Sequence, residues 1–219
     1  MTIWFATGNA HKKTELAAIL ATHGCRHGLC IPRDAGLDFD PDETEDSFHG
    51  NALLKARALH ELLRKNRPPL FRDGDPIIAD DSGICVDALG GRPGIYSARY
   101  AGAPGMEVGN PQKLESHERN ALLLAELGDN PVRSARFVCA MVLMFGPERF
   151  FVSQEIFDGE IVKNQELARG TGGFGYDPIL FIPGLGRTVA ELSEEEKNRI
   201  SHRGKAGRHI AAILGDCAP

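Results

Sequence analysis

Hydrophobic and polar positions switch between two periods along this chain, and the switching predicts an α/β order of elements. Ile3 to Ala6 is a short apolar run broken by Thr7-Gly8-Asn9, read as a first strand and a turn. From His11 to Thr22 the spacing is helical, with Leu16, Ile19 and Leu20 on one side. An acidic stretch from Asp34 to Asp46 has no apolar period and reads as loop. Ser47 caps a second helix running to about Arg64, which Asn66-Arg67-Pro68-Pro69 ends and Arg72-Asp73-Gly74-Asp75-Pro76 extends as loop. Ile77-Ile78-Ala79 is a buried strand terminating in Asp80-Asp81-Ser82-Gly83. Gly90 to Pro111 is rich in glycine and proline, with little period. Gln112 to Leu127 reads as a helix closed by Gly128, a glycine C-cap. Phe137 to Phe145 is almost continuously apolar, as in a central strand buried on both faces. Phe150 to Ile156 leads into Asp158-Gly159, a hairpin signal. Ser193-x-x-Glu196 is a capping box opening a helix, and Lys205 to Leu214 closes the chain as another. No repeat or low-complexity tract interrupts this order, so residues 1–219 read as one compact α/β domain.

Composition narrows the function. The chain is 42% hydrophobic and its charge is modest, 25 basic against 30 acidic residues for a net −5, which excludes global disorder. The acidic balance argues against a nucleic-acid coat, which needs a basic stripe, so charged ligands must be met by a few placed cations. No stretch approaches the roughly 20 apolar residues of a membrane span. The opening residues Met1 to Ala6 lack the basic n-region and long apolar core of a signal peptide. The five cysteines (Cys25, Cys30, Cys85, Cys139 and Cys217) are odd in number and scattered, as expected of reduced thiols in a cytoplasmic protein. His23-x-Cys25-x-His27-x-x-Cys30 has no second pair at zinc-finger spacing, and Gly24 and Gly28 fit a helix exit and turn instead.

Five segments carry residues suited to chemistry. Thr7-Gly8-Asn9-Ala10-His11-Lys12 follows a strand and opens a helix, where free backbone N–H groups and the helix dipole favour phosphate. Lys12 in the first turn opposes that dipole unless an anion faces it. An ordinary turn with Asn9 as N-cap and Lys12 in solvent accounts for the segment equally well. Lys55 falls within the apolar stripe of Phe48, Ala52, Leu59 and Leu62. An inward ammonium needs an anionic partner, whereas a snorkelling one needs only water at its tip. Asp80 and Asp81 sit at the carboxyl end of a buried strand, where open α/β sheets place their sites. Taken alone, an Asp-Ser-Gly turn explains them; if the strand persists, alternation sends the two carboxylates to opposite faces. Gly170 to Pro178 is glycine-dense and includes Phe174 and Tyr176, flat rings suited to a base. Lys197, His202 and Arg203 cluster near a helix end, either as surface charge or as donors to a base edge.

Assembled, these segments closely resemble the inosine/xanthosine triphosphate pyrophosphatase family. The matching pieces are Thr7-Gly8-Asn9-x-x-Lys12, Glu43-Thr44, Phe48-x-x-Asn51-Ala52-x-x-Lys55-Ala56 and Ala79-Asp80-Asp81-Ser82-Gly83. Leu89-Gly90-Gly91-x-Pro93-Gly94-Ile95-Tyr96-Ser97-Ala98-Arg99-Tyr100, Gly170 to Pro178, and Ala190-Glu191-Leu192-x-x-Glu195-x-Lys197-x-x-Ile200-Ser201-His202-Arg203 complete the match in the family's order. Two departures stand out: Gly50 where many members carry Glu, and a longer connection from Arg64 to Pro76. The resemblance implies an elongated mixed β-sheet flanked by helices, in two lobes with the active site in the cleft between them. It also implies a homodimer that requires Mg²⁺ and clears ITP, dITP and XTP to the monophosphate and pyrophosphate. On this chain it implies Asp81 as the catalytic carboxylate and a metal ligand, with Glu43 joining it at the metal. Thr7, Gly8, Asn9, Ala10, His11 and Lys12 would take the triphosphate, with Lys55 and Ser82 close by. Phe174, Gly175, Tyr176 and Asp177 would enclose base and sugar, and Lys197, His202 and Arg203 would contact the purine. A pyrophosphatase for modified pyrimidine triphosphates, or a regulatory module that binds without turnover, are the competing readings.

Overall fold

The computed structural model describes residues 1–102 and 114–217. Its strands are β1 (Thr2–Phe5), β2 (Gly28–Cys30), β3 (Ile77–Val86), β4 (Ser134–Gly146), β5 (Arg149–Ile161), β6 (Leu180–Ile182) and β7 (Arg187–Thr188). Its helices are α1 (Ala10–Thr22), α2 (Phe48–Asn66), α3 (Ser116–Leu127), α4 (Glu194–Ile200) and α5 (His202–Cys217). The strands lie in one sheet in the order β2-β1-β3-β4-β5-β6-β7. Pairing is mixed: β1 runs parallel to β2 and β3, while β5–β6 and β6–β7 are antiparallel. The expected mixed α/β architecture is therefore present.

The chain divides into two compact units. The first takes residues 1–81, 139–155 and the chain from 201 onward; the second takes 82–138 and 156–200. In the first unit the period of two in the strands sorts side chains onto two cores. Ile3 and Phe5 of β1, Ile78 of β3 and Cys139, Met141 and Leu143 of β4 pack with Leu16 and Leu20 of α1 and Ile210 and Leu214 of α5. Trp4, Ile77, Ala79, Val142 and Met144 face the other way, onto Ala52, Ala56, Leu59 and Leu63 of α2. The sheet is thus covered on both faces, which is why β4 reads as a continuous apolar run. The second unit has its own core, built from Ile84 and Val86 of β3, Leu123 and Leu127 of α3, Phe157 and Ile161 of β5, and Tyr176, Ile179 and Leu180.

Local signals mark most boundaries. Asn9 caps α1 with its side chain, Ser47 caps α2, and Ser193 and Glu196 form the reciprocal box before α4. Three expectations need correction. Asp80-Asp81-Ser82-Gly83 is not a turn; β3 runs straight through it to Val86. The hairpin lies at Pro147-Glu148 between β4 and β5, not at Asp158-Gly159, which β5 passes through extended. Gly159 is small for another reason: a Cβ there would stand 2.6 Å from the Phe181 carbonyl oxygen of the neighbouring strand. The last helix opens at His202, before the Lys205 that its apolar period suggests. The expected start of α3 at Gln112 lies outside the described residues.

Candidate active site

Two polar centres stand on the first unit, one on each face of β3. Alternation along the strand places Asp80 on the face of Ile78, towards α1 and α5, and Asp81 on the face of Ala79, towards α2. The first centre is a closed charge network. Lys12 Nζ donates to Asp80 Oδ1 at 3.0 Å, and Arg203 donates to Asp80 Oδ2 through Nε at 3.2 Å and Nη2 at 2.9 Å. The remaining arm of Arg203, Nη1, reaches Glu15 Oε2 at 2.6 Å. Burial works against the Asp80 carboxylate, but Lys12, Arg203 and Lys55 outweigh it and hold the group below the usual carboxylate range.

The second centre is smaller. Lys55, on α2, donates to Glu43 Oε1 at 2.7 Å and to Asp81 Oδ1 at 3.0 Å. Lys55 is therefore an inward cation with anionic partners rather than a snorkelling one. Burial alone would lower its pKa, yet Asp81, Asp80 and Glu43 turn the balance upward and keep it charged. For Asp81 burial dominates, and with Glu43 adding repulsion it lifts the carboxyl above its usual value despite Lys55. Asp81 Oδ2 is buried and makes no hydrogen bond among the described residues. Two carboxylates and one ammonium leave this centre with one negative charge and one oxygen unspent.

The strand-to-helix turn is a capped one. Asn9 Oδ1 accepts the N–H groups of His11 at 2.9 Å and Lys12 at 3.3 Å, and Thr7 Oγ1 accepts that of Asn9 at 3.1 Å. The N–H groups expected to be open for phosphate are thus partly taken by the cap, and Lys12 is bonded rather than solvated. Gly8 and Ala10 complete the turn beside them, and Ser82 follows Asp81 along β3, half-buried.

In the second unit, the glycine-dense loop is shaped by its own chain. Asp177 Oδ2 accepts the Phe174 N–H at 2.8 Å and the Lys197 ammonium at 2.9 Å, and Lys197 Nζ lies 4.9 Å from the centre of the Phe174 ring. Gly173 has φ 71°, and a Cβ there would overlap the Asp177 carboxylate, so this glycine serves the internal turn. Gly175 offers its carbonyl to Asn120 at 3.2 Å. Tyr176 is buried in the core and its hydroxyl donates to the Ser97 carbonyl at 2.9 Å, so its ring is not an open face for a base. Phe174 is the half-buried ring of the pair.

The three residues grouped for the purine are divided. Lys197 belongs to the second unit with Phe174 and Asp177, whereas His202 and Arg203 belong to the first. His202 is buried at the start of α5. Arg203 is 1% exposed with its guanidinium bonded to Asp80 and Glu15, which makes it a holder of Asp80 in this structure instead of a base contact. Glu15 escaped the sequence reading, although its spacing three residues after Lys12 puts both on one face of α1.

Comparison with known proteins adds an independent line. The Ham1 family model matches residues 3–213. The dITP/XTP pyrophosphatase of Treponema denticola is 42% identical over 98% of both chains. That of Streptomyces coelicolor is 45% identical over 95% of this chain and 94% of its own. Among solved structures, the Ham1 protein of Staphylococcus aureus superposes with a TM-score of 0.77 at 34% identity, covering 99% of each chain. A nucleoside-triphosphatase / dITP/XTP pyrophosphatase of Mycobacterium abscessus gives 0.67 at 37% identity, covering 98% of this chain and 99% of that one.

Proposed function

The chain belongs to the Ham1 family, and from that premise we propose that it hydrolyses deaminated purine nucleoside triphosphates (dITP, XTP and ITP) to the monophosphate and pyrophosphate. The observation that carries the reading is the centre formed by Lys55, Glu43 and Asp81, with Asp81 Oδ2 buried and unspent. A centre with one net negative charge and a spare carboxylate oxygen fits a divalent cation. Among the described residues no group of three or more His, Cys, Asp or Glu could hold a metal. Two carboxylates suit Mg²⁺, which keeps several waters and draws its other ligands from substrate phosphates. Glu43 and Asp81 would hold it, and when bound it supplies positive charge to the phosphates and polarises the oxygens around the reacting phosphorus.

The chain's own groups do the rest. Lys12 keeps spare ammonium donors beyond its bond to Asp80 and takes the polyphosphate, with Thr7 to His11 as the capped turn beside it. Lys55 holds Glu43 and Asp81 in place. Asp81, beside the cation it would hold with Glu43, accepts the proton of the attacking water. Water attacks the α-phosphorus, the bridge to the β-phosphorus breaks, and pyrophosphate leaves. Phe174 takes the face of the base, while Lys197 beside it offers a donor to the 6-oxo group of hypoxanthine or xanthine. Adenine presents an amino group there, leaving donor against donor, and such mismatches discriminate strongly.

The reading includes a homodimer in the cytoplasm. Cys25, Cys30, Cys85 and Cys139 are all free thiols, which suits a reducing compartment. No helix among the described residues is long and apolar enough to cross a membrane. The test is a panel of ITP, dITP, XTP, GTP and ATP in Mg²⁺ with the phosphorus products identified. Pyrophosphate from the deaminated substrates, at least about a hundredfold faster than from ATP, is the expected result. Orthophosphate as the sole phosphorus product, or equal turnover of ATP, overturns it.

A further inference from the structure

Asn51 is fully buried near the start of α2, yet it faces the apolar stripe that Ala52, Ala56 and Leu59 build. Its Oδ1 accepts the backbone N–H of Glu45 at 3.1 Å, and its Nδ2 has no hydrogen-bond partner among the described residues. A half-satisfied buried amide costs stability that a leucine of similar size would not, so packing does not account for it. What the amide does provide is a tie to a loop. Asn51 and Lys55 stand four residues apart, on one face of the helix. Asn51 grips the loop at Glu45, and Lys55 grips it at the Glu43 carboxylate, 2.7 Å away. Gly50 makes the approach possible: a Cβ there would stand 2.8 Å from Glu45 Cβ and 2.9 Å from Ser47 Oγ. Ser47 Oγ in turn accepts the Gly50 N–H at 3.3 Å. Residues 43–47 are thus folded directly onto the first two turns of α2.

We infer that Asn51 is the positioning residue for Glu43: its amide oxygen, bonded to the Glu45 N–H that Gly50 lets lie close to the helix, fixes the loop so that the Glu43 carboxylate stands with Asp81 and Lys55, and it thereby sets the affinity of that centre for a divalent cation. The inference rests on the reading in which Glu43 and Asp81 hold the metal. Asn51 touches no reacting atom and acts through the loop alone.

The experiment measures Mn²⁺ binding to the nucleotide-free full chain, from the electron paramagnetic resonance signal of the unbound ion. It is paired with the Mg²⁺ concentration giving half-maximal ITP turnover and with thermal melting in the absence of metal. Asn51→Leu is expected to weaken Mn²⁺ binding at least about tenfold, the usual effect of losing a group that orients a metal ligand. The Mg²⁺ requirement should rise in parallel, with kcat recovered at saturating Mg²⁺. Gly50→Ala pushes the loop away without touching the amide and should give the same shift; it carries the test alone if Asn51→Leu does not fold. Wild-type cation affinity in Asn51→Leu or in Gly50→Ala, beside weakened binding in Glu43→Gln, overturns the role of Asn51 while leaving the metal centre standing. Unchanged binding in Glu43→Gln itself overturns the metal reading, and the assignment of Asn51 with it.

Discussion

Asp81→Asn is expected to lower kcat for ITP about a thousandfold, on the order of 4 kcal/mol of transition-state stabilisation. The substitution keeps the shape of the side chain and an oxygen for Lys55 at the position of Oδ1. It removes the charge and turns the unspent oxygen into an amide donor, so the centre loses both its base and one arm for the cation. Stability should move the other way. Burial and Glu43 lift the pKa of Asp81 in the folded chain. An acid with a raised folded pKa is penalised once pH rises past its unfolded value, so at pH 7 the ionised group costs the fold something. The Asn variant should therefore melt no lower than the parent and slightly higher at neutral pH. Loss of turnover with retained or raised Tm is the signature of a group kept for chemistry. Near-normal turnover in this variant removes Asp81 from the catalytic role.

Arg203→Met is expected to destabilise the protein by about 3–5 kcal/mol, because it breaks a buried pair and leaves uncompensated charge behind. Asp80 has a side chain with 0% exposure, and Glu15 11%; without the guanidinium both carboxylates lose the charge-assisted bonds it supplies. For a domain of this size the drop in Tm should be on the order of 10 °C. The double variant Asp80→Asn with Arg203→Met removes the stranded charge and should lose clearly less than the sum of the single changes. The sign of the pH dependence follows from Asp80. Its folded pKa is held low, so its contribution is present at neutral pH and disappears as pH falls through and below the ordinary carboxylate value. Denaturation melts at pH 7 decide the matter. If Arg203→Met melts like the parent but loses discrimination between ITP and ATP, Arg203 is a base contact after all, as the family resemblance implies.

Much of this molecule could be read from local sequence because local rules control it. Asn9, Ser47 and the Ser193–Glu196 box announce their helices through side chains that satisfy the first N–H groups. The continuous apolar run of β4 follows from cover on both faces of the sheet. Where the reading failed, a distant partner decided the outcome. Two aspartates inside a strand look like its end, since unpaired carboxylates cannot be buried. Here each has its own cation, Lys12 and Arg203 for one and Lys55 for the other, brought from three helices. Asp158-Gly159 has hairpin chemistry, but Gly159 answers the close carbonyl of Phe181 on the adjacent strand. The same limit applies to the candidate site. Lys55 could be picked out because an ammonium in an apolar stripe demands an explanation. Glu15 and Asn51 could not: their partners, Arg203 and the Glu45 N–H, become visible only once the chain has folded.

The most direct test of the chemistry is hydrolysis of ITP in H₂¹⁸O, followed by phosphorus NMR of the products. Attack on the α-phosphorus puts the heavy oxygen into the monophosphate and releases pyrophosphate carrying none. Heavy oxygen in the pyrophosphate, or its appearance in free orthophosphate, would mean that water is delivered to another phosphorus and that the centre of Lys55, Glu43 and Asp81 does not work as described.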